Sequence, residues 1–165
     1  MDIIKIPLPF GRDHLEPKKV IAHAIAEFVI KDGRAYHAID WLKKKELSYH
    51  ALVTPSGSII RCREDNQVAW HAKAQGHNFK ALGIAFLVPG AHDYSSFLET
   101  IKKPYLLPGQ YIAGMQFCRE EWVNKLGILH FAQHSKIDSE NKSDPGPGFP
   151  FHRFLGDIGL IYKEN

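Results

Sequence analysis

Cysteine is scarce in this chain: Cys62 and Cys118 are the only two among 165 residues. Two thiols in a chain of this length do not form a disulfide framework, and they read as reduced, partly buried side chains. No apolar run reaches the roughly 18 residues that mark a membrane span, so membrane insertion is not expected. The start, Met1 to Pro7, has no basic stretch followed by a sustained apolar one. Synthesis is therefore expected to end in the cytoplasm, without a secretory signal. A strong charge of one sign is missing too. The 21 basic residues against 18 acidic ones leave a formal +3. That mild balance favours an anionic polymer but is too small and scattered to point to nucleic acid. No internal repeat, low-complexity block or linker divides the chain.

What remains is an ordinary globular composition, 44% hydrophobic and 24% charged, long enough for one domain with its own core. Residues 1–17 read as an irregular lead-in, because Pro7, Pro9 and Pro17 discourage a helix. Residues 18–165 read as the single folded domain. Val20 to Ile25 suits a short buried strand, with His23 at its end, and Ala35 to Lys45 a helix that closes on Lys43, Lys44 and Lys45. Ser48 to Val53 and Ser58 to Cys62, joined by Pro55-Ser56-Gly57, read as a hairpin. Leu82 to Val88 is nearly all apolar, as a central strand covered on both faces would be. Gln110 to Leu126 has a helical pattern capped by Gly127, and Ile128 to Ala132 suggests another strand. The fold class is α/β, with a central mixed sheet flanked by helices.

Ten histidines are unusual and invite a metal. A hydrolytic zinc site takes three protein ligands and leaves a fourth position open to water. His23 and His134 each follow strand-like residues, and Asp144 lies beyond His134 across a loop stiffened by Pro145 and Pro147. Two neutral imidazoles and one carboxylate leave a bound zinc net positive. Lys142 stands two residues before Asp144, so an extended loop sends both side chains the same way, and a cation there suits an oxyanion. Nothing in the spacing joins His23 to His134.

Resemblance does. His134 followed by Lys142-Ser143-Asp144-Pro145-Gly146-Pro147-Gly148 resembles the C-terminal signature of the zinc N-acetylmuramoyl-L-alanine amidases. That family shares its fold with phage amidase endolysins and peptidoglycan-recognition proteins. Val20 to His23, Ser48 to Val53, Ala69-Trp70-His71-Ala72, and Asn78 with Leu82 to Phe86 resemble further family segments in the expected order. The likeness runs from about residue 18 to residue 155. It implies zinc held by His23, His134 and Asp144 at the floor of an open groove. It also implies hydrolysis of the amide between the lactyl group of N-acetylmuramic acid and L-alanine, with Lys142 steadying the oxyanion. Where some relatives carry a glutamate on the central strand, this chain has Ala85. Others, endolysins included, use a hairpin tyrosine, and Tyr49 matches it. A phenol of pKa about 10 suits orientation better than proton abstraction. Trp70, His71 and Asn78 are the expected substrate contacts. His50, one residue after Tyr49, should face away from the metal.

The implied partner is peptidoglycan or a soluble muropeptide, and the chain is expected to act as a monomer. A lytic enzyme would reach the wall by host lysis or a dedicated export route. The alternatives are a cytoplasmic muropeptide-recycling amidase and a peptidoglycan-binding receptor that has lost catalysis. On residue chemistry alone, His134 with Asp144 is equally a capping pair in a surface loop, and His23 a satisfied core histidine. Lys142 is equally a solvated lysine, Tyr49 a structural tyrosine and Trp70 a packing residue.

Overall fold

The computed structural model describes residues 1–160. A seven-stranded mixed sheet runs through it. The strands are β1 (Ile3–Lys5), β3 (Lys19–Lys31), β4 (Arg34–His37), β5 (Ala51–Val53), β6 (Ile59–Arg61), β8 (Ala81–His92) and β9 (Phe131–Gln133). The order is β1-β6-β5-β8-β3-β4, with β9 also paired to β3. A separate antiparallel pair joins β2 (Gly11–Asp13) to β7 (Gln67–Ala69). The lead-in is thus not wholly irregular. Pro7 and Pro9 fall between two short strands rather than inside them, where a missing N–H costs no ladder bond. The five residues 161–165 of the expected domain lie outside the described residues.

Two parallel central strands set the frame. Residues Ala81 to Val88 of β8 are all buried, as a strand covered on both faces requires. Alternate residues of β3 and β8 point to opposite faces. Val20, Ala22, Ala24, Ile84 and Phe86 pack on one side with Phe117, Trp122 and Phe154. These come from α3 (Pro108–Phe117), the wide π-type turn Cys118–Asn124 and α5 (Phe151–Asp157). Ile25, Ala85 and Leu87 pack on the other side with Ile39 and Leu42 of α1 (Ala38–Lys45) and with Tyr49. Cys118 and Cys62 belong to these opposite layers, and both are free thiols.

Gln110 ties α3 to the sheet. It is fully buried, and its amide nitrogen donates to the carbonyls of Val53 at 3.0 Å and Leu87 at 2.7 Å. Gln110→Leu leaves both acceptors unpaired, and urea unfolding should register a loss of about 1–3 kcal/mol.

β3 is longer than its apolar run suggests. Its first half is buried, but its second half, where Phe28, Ile30 and Lys31 are exposed, forms a hairpin arm with β4. His23 therefore sits in the body of the strand rather than at its end. The helix expected from Ala35 begins at Ala38, because Arg34 to His37 pair with β3. One edge of β3 is continuous with β8. The other is shared: β9 pairs at Val20 to Ala22 and β4 from Phe28 onward, which leaves residues 23–27 without a neighbouring strand. Among the described residues no helix is long and apolar enough to cross a membrane.

Candidate metal centre

The uncovered stretch of β3 is where the three candidate ligands meet. His23 is fully buried, facing the α1 side of the sheet beside Tyr49. His134 directly follows β9, whose Gln133 pairs with Ala22, so the register of β9 delivers its imidazole beside His23. Asp144 completes the group by occupying the vacant edge: its Oδ2 accepts from the Ala24 N–H at 3.3 Å. Its backbone carbonyl accepts from Ser135 N–H at 2.8 Å, tying both ends of the intervening loop together.

The Pro-Gly-Pro-Gly run after Asp144 has a packing reason. Gly148 N–H donates to the Ile101 carbonyl at 2.8 Å, and a Cβ at Gly148 would lie 1.9 Å from the Lys103 carbonyl oxygen. Only glycine lets the loop press this closely on residues 101–103. Tyr105 adds a hydroxyl bond to the Pro145 carbonyl at 3.0 Å. The segment that carries Asp144 is therefore fixed by its neighbours on both sides.

His23 Nδ1 and His134 Nδ1 are 3.0 Å apart. Asp144 Oδ2 lies 3.2 Å from each of them, and its Oδ1 lies 3.0 Å from the second. Three such donors around a tetrahedral zinc at bond lengths near 2.0–2.1 Å would stand roughly 3.3 Å from one another. The ligand set and its spacing fit zinc. Burial lowers the His23 pKa to about 4, outweighing the raising effect of Asp144, so the ring is neutral and ready to ligate at neutral pH. Burial alone would raise the Asp144 carboxyl. The adjoining His134 and His23 rings, His134 first, outweigh it and hold Asp144 below the ordinary carboxylate range.

A second layer stands behind His23. Its Nε2 is 2.9 Å from Nδ1 of His71, whose own Nε2 donates to the Ala81 carbonyl at 3.1 Å. His71, expected to touch substrate, lines the groove beside the ligands, and both of its ring nitrogens are engaged inside the protein. Asn78 likewise has its side-chain oxygen committed, accepting from the backbone N–H groups of His71 at 2.9 Å and Ala72 at 2.6 Å. It braces the turn that holds His71. His50 faces away from the three ligands, as its position after Tyr49 requires. Its Nε2 donates to the Gln67 carbonyl at 2.7 Å and its Nδ1 accepts from Gly83 N–H at 2.9 Å.

Tyr49 lies just before β5 rather than inside a strand running from Ser48. Its neighbours hold it. The Ser48 hydroxyl donates to the Phe10 carbonyl and accepts from Trp70 N–H, while His50 is anchored as described. The Tyr49 ring meets that of His23 edge-on at 4.9 Å. Burial, and then the charge of Asp144, raise its phenol above the ordinary range, so it stays protonated. Ala85, paired with His23 across the strands, is fully buried and packs in the same layer as Tyr49.

The group opens into a groove of about 1310 Å³ whose lining includes Tyr49, Trp70, Lys142 and Asp144, then extends to Trp41 and Tyr94. The helix α2 (Tyr94–Thr100) contributes Tyr94 and Phe97 to that wall. Trp70 lines the groove and packs on Phe79 with ring centroids 5.8 Å apart, under the Arg12 guanidinium. Lys142 is exposed and its charge reaches His23.

Two histidines and an aspartate gathered beside one edge of a mixed sheet, next to an open groove, form the donor set of a hydrolytic metal centre. Residues 14–147 match the family model described as N-acetylmuramoyl-L-alanine amidase, and the chain belongs to that family. Solved structures share the fold. N-acetylmuramoyl-L-alanine amidase LysC from Clostridium intestinale URNW is 22% identical, with 97% of this chain and 99% of that one covered and a TM-score of 0.70. A selenomethionine derivative of AmpD is 18% identical, with 94% of each chain covered and a TM-score of 0.69. AmiD from E. coli, in complex with anhydro-N-acetylmuramic acid-L-Ala-D-gamma-Glu-L-Lys, is 19% identical, with 92% of this chain and 61% of that one covered and a TM-score of 0.67. No curated protein sequence gives a significant match.

Proposed function

We propose that this amidase is zinc-dependent, holds the ion with His23, His134 and Asp144, and cleaves the lactyl–L-alanine amide of intact peptidoglycan as a lytic, endolysin-type enzyme. The observation that carries the reading is the convergence of two imidazole nitrogens and a carboxylate oxygen, all within 4.8 Å of one another, beside the groove. Zinc bound there supplies Lewis acidity, polarising the scissile carbonyl and lowering the pKa of water to roughly 7. Asp144, kept ionised, offsets one of the two zinc charges and leaves the centre net positive. Tyr49, kept protonated, donates a hydrogen bond toward the oxygen that becomes negative as the amide is attacked. Lys142 adds a cation on the groove side of the same oxygen.

The choice of Tyr49 with a buried, proton-inert Ala85 favours the lytic type over a recycling enzyme. The muropeptide fragment in the AmiD complex supports a sugar–peptide substrate for a groove of this fold.

Zinc per chain, and new L-alanine amino termini released from purified sacculi and from soluble anhydro-muropeptides, test the proposal together. Stoichiometric zinc with faster release from sacculi is expected. Wall binding with neither zinc nor release would establish a receptor instead, and faster release from soluble fragments would establish a recycling amidase. Tyr49→Phe should lower kcat by about 10–100-fold with unchanged zinc content, the loss of one hydrogen bond to a charged oxygen.

A further inference from the structure

We infer that His71 is a positioning residue for the metal centre: it accepts a hydrogen bond from His23 Nε2–H and thereby fixes the His23 tautomer that leaves Nδ1 free to ligate. Proton bookkeeping along the chain of contacts leads there. The Ala81 carbonyl accepts only, so His71 Nε2 carries the ring proton facing it, 3.1 Å away. A neutral His71 then has a lone pair at Nδ1. That nitrogen lies 2.9 Å from His23 Nε2, which must therefore donate. With its proton on Nε2, His23 presents an unprotonated Nδ1 to His134 and Asp144. A backbone carbonyl on a buried strand thus sets, through two rings, which atom of His23 faces the ion.

The surroundings are built for this ring. A Cβ at Gly83 would stand 2.6 Å from His71 Cγ and Nδ1, so glycine within the buried run of β8 makes the room His71 occupies. Asn78 clamps the backbone N–H groups of residues 71 and 72 from outside. His50, whose ring centroid is 5.8 Å from that of His71, has both nitrogens committed to backbone partners and offers His71 no competing bond. His71 itself is only 8% exposed.

The consequence for metal affinity rests on the zinc reading, whereas the tautomer does not, and the test separates them. Nitrogen NMR of isotope-labelled histidines in the metal-free wild type reports which His23 nitrogen bears hydrogen. A proton on Nε2 is expected, and a proton on Nδ1 overturns the inference whatever the protein does with zinc. Chelator competition then compares wild type with His71→Leu, which removes the acceptor, and His71→Asn, which restores a short polar group near the position of Nδ1. The leucine variant should bind zinc about 10–100-fold more weakly, with part of that recovered by asparagine. A folded His71→Leu protein with wild-type affinity overturns the inference. A wild type that shows the Nε2 tautomer but binds no zinc supports the hydrogen-bond assignment and sinks the zinc proposal instead.

Discussion

Asp144→Asn is expected to cut peptide release by on the order of 10³-fold or more and to empty the metal centre, while the fold survives. The substitution is nearly isosteric, so the bond from the Ala24 N–H to the side-chain oxygen can persist. What disappears is the negative charge shared between two imidazoles 3.0 Å apart. A neutral amide oxygen is a much poorer zinc ligand than a carboxylate, and Lewis acidity contributes several kcal/mol to such hydrolyses, each 1.4 kcal/mol being tenfold in rate. Zinc content, thermal melting and release from sacculi should be measured on the same preparation. Wild-type turnover in the variant would remove Asp144 from the centre.

Lowering the pH should unfold the metal-free protein well above the range where carboxylates titrate. Buried His50 and His71 are the main reasons, and burial holds the His71 ring well below the ordinary imidazole range. Burial, reinforced by the charges of Arg61 and Arg63, lowers the His50 pKa from 6.5 to about 3 despite its bond to the Gln67 carbonyl. His23 adds a shift in the same direction, to about 4. In the unfolded chain the His50 and His23 rings take up protons near pH 6.5, but in the folded one they do so only at about 3 and 4. The unfolded state thus binds more protons, and stability present above about pH 6.5 is lost as pH falls toward those lower values. The loss should reach on the order of several kcal/mol, comparable with the whole stability of a small domain. Urea melts between about pH 7.5 and 4.5 would record it. A flat profile would contradict the buried neutral histidines, and His50→Gln should remove only its own part of the slope.

The hairpin of β5 and β6, the buried run of β8 and the Gly127 cap were legible because local patterning matches what each element does. Gly127 has φ +68° and its N–H bonds to the Val123 carbonyl at 3.0 Å, as a helix-ending glycine should. Other features depend on partners distant in the chain. β1 exists because Ile3 to Lys5 find β6, and the outer half of β3 because β4 folds back on it. Neither shows a strong period of its own. At the centre, residue chemistry suggested His134, Asp144 and Lys142, but only family resemblance linked them to His23 and Tyr49. At His71 the sequence suggested a groove residue beside a tryptophan, and its bond to His23 was not legible. Its true neighbours, Ala81 and His23, are brought to it by the parallel pairing of β3 and β8. Gly83, unusual in so apolar a strand, was the one local hint that a ring had to fit there.

The divided edge of β3 gives the centre an unusual tolerance. Both anchors of the His134–Asp144 loop grip the same strand two residues apart, one through the β9 ladder at Ala22 and one through the carboxylate on Ala24 N–H. The chain between them, from Lys136 to Asn141, can be lengthened or rebuilt without changing the distance between the ligands or removing Lys142. Diversity in that loop would therefore remodel the mouth of the groove, and with it the choice of substrate, while the reacting centre keeps its geometry.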